Sequence, residues 1–168
     1  KKIKVLVIGE IIIDKYVFCE ALGKSGKEPM LVLRNLNTEE YLGGSAAISR
    51  HLSDFCKNVA LFGMIGDQDQ YEGKVKKQLP KNINFRYLKK NNSPTIVKTR
   101  FLDSVDNKKV LGVYSINDEI LSQNDEKKFK NYLKDNLKKY DLVIISDYGH
   151  GFISNDNAKI ICQNSKYL

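Results

Sequence analysis

At 168 residues the chain is long enough for one core of ordinary size, so the length prior is one domain. An apolar fraction of 42% with mixed charges fits a globular protein, and no apolar run approaches the ~20 residues of a membrane-spanning helix. The formal net charge of +8 comes from lysines scattered along the chain, such as Lys27, Lys57, Lys108-Lys109 and Lys138-Lys139. They are not clustered with interleaved aromatics, which argues against a nucleic-acid surface and suits a phosphorylated small substrate. Cys19, Cys56 and Cys162 are odd in number, widely spaced and without a Cys-x-x-Cys or zinc pattern. They read as free thiols in a reducing cytoplasm, and the first residues lack the features of a signal peptide.

The chain starts with Lys4-Val5-Leu6-Val7-Ile8, a continuous apolar run of the kind buried on both faces of a parallel sheet. Gly9-Glu10 is expected to end that strand and open a turn that carries Asp14. Ligands of open α/β sheets bind beyond the carboxyl ends of the strands. Asp14 is therefore open to two readings, a carboxylate that accepts substrate hydroxyls or a turn aspartate bonded to its own backbone. Residues 17–41 lack helical period, with a loop over Gly23–Pro29 and a strand over Met30–Leu33. Connections in a plain βαβ unit run about 2–6 residues, so this excursion predicts an inserted β flap. Gly43-Gly44 then opens a helix of about Ser45–Phe55. The pair either lets a ligand approach the helix N-terminus or simply makes a tight loop into a packed helix.

Val59–Phe62 reads as a second core strand, ending in Gly63-Met64-Ile65-Gly66-Asp67, followed by an amphipathic helix with Val75 and Leu79. Phe85–Leu88 is a short strand. Pro94–Leu102 alternates, with Ile96, Lys98 and Arg100 on one face, and returns through Val110–Tyr114 as a hairpin. Phe129, Tyr132, Leu133 and Leu137 mark a helix. Asp141–Ser146 is the third buried strand and delivers Asp147-Tyr148-Gly149-His150-Gly151. Ser154 or Asn155 caps a last helix. Three strands thus each deliver a polar, glycine-bearing turn: Gly9 to Asp14, Gly63 to Asp67 and Asp147 to Gly151. The expected architecture is an α/β three-layer sandwich with a mostly parallel central sheet and a small β lid.

The ordered set Gly9–Tyr16, Glu28-Pro29, Gly43–Ala47, Gly63–Asp67 and Ser146–Gly151, with Thr95–Arg100, resembles ribokinase-like (phosphofructokinase B family) carbohydrate kinases. Within that family it is nearest the heptose-7-phosphate kinase domain of ADP-heptose synthases. The resemblance spans nearly the whole chain and implies the N-terminal part of a sugar-kinase domain, with lid segments about 16–41 and 94–114. It implies a sugar or sugar-phosphate substrate held by Asp14, Gly43, Gly44, Ser45, Lys98, Arg100 and Asp147. It also implies transfer of the ATP γ-phosphoryl group with Mg²⁺, and a homodimer formed through the lid. Family kinases run to roughly twice this length. Their Gly-Ala-Gly-Asp turn, with the catalytic Asp and the main ATP site, belongs to a half not present here, so this segment is expected to hold no catalytic residue. The alternative is a non-catalytic sugar- or nucleotide-binding module. The sequence departs from the pattern at Ala47, where the family has Asn. It also departs from the branch at Glu10 (Asp), His150 (Lys) and Gly112 (Arg).

Overall fold

The computed structural model describes residues 3–168. Its first strand, β1, runs unbroken over Lys4–Lys24 and belongs to two sheets. Residues Lys4–Glu10 pair in parallel with β3 (Asn58–Gly66), and Val5–Gly9 pair in parallel with β7 (Leu142–Ser146). β3 in turn pairs in parallel with β4 (Ile83–Lys90). These four strands form an all-parallel inner sheet in the order β4-β3-β1-β7. Beyond residue 11 the same strand enters an outer sheet. There it pairs antiparallel with β2 (Leu31–Gly43) and parallel with β5 (Ile96–Asp103), which pairs antiparallel with β6 (Lys109–Ser115).

The inner sheet separates two apolar layers. On one face Val7, Leu61, Ile65 and Val59 pack with Ala46, Ile48 and Leu52 of α1 (Gly44–Phe55) and with Val75 of α2 (Tyr71–Gln78). On the other, Leu6, Ile8, Phe62 and Val143 pack with Phe129 and Leu133 of α3 (Gln123–Asn136) and Ile161 of α4 (Asn155–Asn164). Stacked rings of Phe62, Phe129 and Phe152 fill this second layer. The expected three-layer α/β sandwich with a mostly parallel central sheet is therefore present. Two helix starts are capped by serine: Ser154, one of the two residues expected to cap the last helix, accepts the Asn157 N–H at its Oγ, and Ser122 Oγ accepts that of Asp125.

Two of the three expected turns are not turns. Gly9 does not end the first strand, because its missing side chain is what lets β7 pair beside it: a Cβ on Gly9 would overlap the Ser146 carbonyl. Glu10 does not break the strand either, since its carboxylate is satisfied by N–H groups of Tyr148 and His150. Gly63 and Gly66 likewise lie inside β3, Gly63 beneath the Ile11 side chain. Only the third, Asp147 to Gly151, is a loop outside the strands. The flap is longer than the residues around Met30–Leu33 suggest, because β2 follows β1 through twelve register pairs. At the far end the Val143 N–H donates to the Tyr167 carbonyl at 2.9 Å, so the chain runs beside the outer edge of β7.

Gly9→Ala should cost at least about 2 kcal/mol, the range for forcing atoms into a packed interior. Urea denaturation with an unchanged slope reads this as a lowered midpoint.

Candidate functional site

Strand alternation places side chains two apart on the same face. On the outer sheet the register sets Asp14 beside Lys98 and Tyr41, and Tyr16 beside Arg100. Tyr114 lies opposite Lys98, and Gly112 opposite Arg100. One face of this sheet therefore carries Asp14, Tyr16, Tyr41, Lys98, Arg100 and Tyr114. The Arg100 guanidinium donates to Asp14 Oδ1 at 2.5 Å, and both side chains are mostly buried, at 19% and 26% exposed. Asp14 beside it pushes the Arg100 pKa up, above its already high ordinary value. The guanidinium also lies 5.6 Å from the Tyr16 ring centre and 5.9 Å from that of Tyr114. Lys98 Nζ sits 6.0 Å from the Tyr114 ring and 5.6 Å from the ring of Tyr148, which comes from the loop after β7. These are cation–π distances, and the Lys98–Tyr148 contact joins the outer sheet to the inner one.

Gly43 and Gly44 lie directly against this face. A Cβ on Gly43 would overlap Asp14 Oδ2, and Gly44 has φ +57 with the Glu10 carbonyl where a Cβ would stand. Glycine at both positions is thus required by close approach, and Gly43 leaves the second Asp14 oxygen beside bare backbone at a helix N-terminus. Such an arrangement can take a hydroxylated ligand: the carboxylate accepts from hydroxyls, helix N–H groups and the cations donate, and tyrosine rings stack on C–H faces.

The structure gathers Asp14, Gly43, Gly44, Lys98 and Arg100, five of the residues expected to bind substrate. Asp147 is exposed at the rim, where its carboxylate accepts the Gly149 N–H at 3.0 Å. Ser45 does something else. Its hydroxyl is fully buried and donates toward the Gly9 and Glu10 carbonyls at 3.0 and 2.9 Å, so it pins the helix start to β1 instead of facing a ligand. His51 is exposed on α1, whereas His150 is buried with Nδ1 2.7 Å from Asp118.

Several residues that shape the site carry no local signal. Asp67 accepts the Asn92 and Ser93 N–H groups, each at 3.1 Å, and Asp69 accepts the Thr95 N–H and hydroxyl at 2.5 and 2.8 Å. Together they anchor the entry to β5, which carries Lys98 and Arg100. Glu10 is fully buried, and burial raises its carboxyl above the ordinary carboxylate range against the lowering effect of its backbone N–H partners. Its protonation therefore favours the fold at low pH, and that advantage disappears as pH rises through the folded-state pKa.

A family model described as pfkB family carbohydrate kinase matches residues 2–165, nearly the whole chain. The chain belongs to the pfkB family of carbohydrate kinases. Among curated relatives, a "Bifunctional protein HldE" from Campylobacter jejuni (strain RM1221) is 27% identical over 177 residues, covering 100% of this chain and 34% of the relative. One of the same name from Aliarcobacter butzleri is 30% identical over 156 residues, covering 92% of this chain and 32% of the relative. This pfkB chain thus spans about a third of the length of those proteins. Among solved structures, a putative phosphofructokinase from Staphylococcus aureus superposes with TM-score 0.69 at 17% identity, covering 97% of this chain and 51% of that one. Ribokinase from Arabidopsis thaliana, solved with ribose and ATP, superposes with TM-score 0.58 at 18% identity, covering 98% and 51%. At such identities the structures establish a shared fold, and the family model establishes the pfkB assignment.

Two substitutions separate the roles around the glycine turn. Gly43→Ala, by displacing the Asp14 carboxylate, should alter the Asp14–Arg100 geometry in a crystal structure while leaving the fold intact. Ser45→Ala, which removes a buried hydroxyl and its bonds to the Gly9 and Glu10 carbonyls, should lower stability by about 0.5–1.5 kcal/mol in chemical denaturation and leave that ion pair in place.

Proposed function

We propose that the chain is the substrate-binding and lid portion of an ATP-dependent carbohydrate kinase that transfers the γ-phosphoryl group to a sugar hydroxyl. The observation that carries this reading is the Asp14–Arg100 pair set over the bare backbone of Gly43-Gly44, with Lys98 on the same face. The outer sheet is the lid, and the sugar lies between its inner face and the carboxyl ends of the inner strands. Asp14 accepts hydrogen bonds from sugar hydroxyls, the amides at the start of α1 donate, and Arg100 holds the carboxylate in place. Lys98, Arg100 and the net charge of +8 favour an anionic substrate. A heptose phosphate agrees with the similarity to the HldE proteins.

Phosphoryl transfer depends mainly on positioning and charge stabilisation. This chain supplies the first: it fixes the sugar and excludes water from one side. When bound, ATP supplies the phosphoryl group and Mg²⁺ screens its charge. Among the described residues no group of three or more His, Cys, Asp or Glu side chains gathers to hold a metal. Asp147, exposed at the rim, approaches the substrate only from the edge. The apolar outer strand β6, with Val110, Leu111 and Val113 half-exposed, fits the lid of one copy meeting that of a second.

The test is calorimetric titration of sedoheptulose 7-phosphate, fructose 6-phosphate and ribose into the parent and Asp14→Asn proteins. Removing a charged acceptor should weaken binding of the preferred sugar by about 10- to 100-fold, from the ~1.5–3 kcal/mol of such a bond. Unchanged affinity in Asp14→Asn would overturn the reading.

A further inference from the structure

Beneath the sugar-facing surface, the carboxyl end of the inner sheet holds a buried polar cluster that substrate binding does not use. Lys90, the last residue of β4, is 3% exposed. Its ammonium donates to the carbonyls of Asn117, Glu119 and His150 at 2.7, 2.6 and 3.1 Å. An ammonium has three protons, and here each has a backbone oxygen. Glu10, on β1, accepts the N–H groups of Tyr148 and His150 at 2.9 and 3.2 Å. His150 is common to both: its N–H goes to Glu10, its carbonyl to Lys90, and its ring to Asp118. Gly151, at φ +78, lies so close to the Glu119 carbonyl that a Cβ would overlap it.

The segments held this way are the connection that leaves β6, residues 116–121, and the loop after β7, residues 147–151. Both lie outside helices and strands, and both bear on the site. The first is the exit from the outer sheet at the edge carrying Tyr114. The second presents Tyr148, whose ring meets Lys98. In the outer sheet, ordered β2-β1-β5-β6, the links to the inner layer through β1, through Gly43-Gly44 and through the Asp67- and Asp69-bound entry to β5 all lie on one side of β6. The remaining edge strand, β6, continues to the inner layer through residues 116–121.

We propose that Lys90 and Glu10 are positioning residues that set the outer sheet's distance from the inner one, and with it the width of the sugar-binding crevice. The ammonium ties the β6 exit to the β7 loop, and the carboxylate ties that loop to β1, so Lys98 and Tyr148 face each other at a fixed separation. The functional consequence rests on the sugar-binding reading above, but the mechanical one does not.

The experiment is a pulsed electron-spin distance measurement without ligand. Labels go on Val105→Cys at the outer-sheet tip and Phe55→Cys at the end of α1, positions that are 88% and 82% exposed. Cys56 and Cys162 are changed to Ser, and buried Cys19 is kept. Lys90→Met keeps the stem and removes charge and donors; Glu10→Gln keeps the shape and mispairs one N–H. Leu133→Ala, a buried cut in α3 away from the crossing, controls for general loosening. Lys90→Met should shift or broaden the distance distribution by several ångströms, Glu10→Gln should do so less, and Leu133→Ala should leave it at the parent's. A folded Lys90→Met with the parent distribution, or a Leu133→Ala that broadens as much, overturns the proposal. If Lys90→Met does not fold, Glu10→Gln decides, and an unchanged distribution there overturns it. Sugar affinity is not read, so loss of the Asp14 reading and loss of this one are separate outcomes.

Discussion

β1 is one strand serving two sheets, and every feature of the site depends on that continuity. For the strand to pass from the inner sheet to the outer, β7 must pair closely at Gly9, and a carboxylate at Glu10 must be buried without being orphaned. Both conditions are met by the end of β7 and the loop after it: the Ser146 carbonyl occupies the space a side chain at Gly9 would need, and the Tyr148 and His150 amides satisfy Glu10. An unpaired carboxylate at that depth would be strongly unfavourable, so the loop after β7 and the crossing of β1 stabilise each other.

That crossing places Asp14 four residues beyond the inner sheet, on a rigid strand instead of a free loop. Register with β5 then delivers Lys98 and Arg100 to the same face, and β2 returns the chain so that Gly43-Gly44 passes under Asp14. Sites built on strands hold side chains more accurately than sites on loops. The pfkB assignment and the ribokinase-like fold agree with this arrangement of two sheets joined through β1.

Much of this was legible in the sequence because the signals are local. Apolar runs at Val5–Ile8, Val59–Phe62 and Leu142–Ile145 mark strands buried on both faces, the period of Phe129 and Leu133 marks α3, and the alternation from Ile96 to Arg100 correctly puts Lys98 and Arg100 together. What local reading misses are features satisfied from a distance. Gly9-Glu10 looks like a strand end because glycine and a charge follow an apolar run, while the partners that make it strand interior lie at residues 146–150. Residues 34–41 are polar apart from Leu36 and Tyr41 and show no clear strand alternation, and they owe their strand conformation to register with β1. Ser45 looks like a ligand-facing hydroxyl at a helix start, but its acceptors are carbonyls of a strand some thirty-five residues earlier. Lys90 lies past the apolar residues of Phe85–Leu88, and only the fold reveals that β4 continues to it and that it is buried.

The claim that one face of the outer sheet is the ligand face is tested most directly by NMR titration with sedoheptulose 7-phosphate, following backbone amides. Saturable shifts are expected at Asp14, Gly43, Gly44, Lys98, Arg100, Tyr114 and Tyr148, with Lys15, Val17 and Thr99 on the opposite face unmoved. Shifts concentrated on that opposite face, or on α2 and α3, would contradict it.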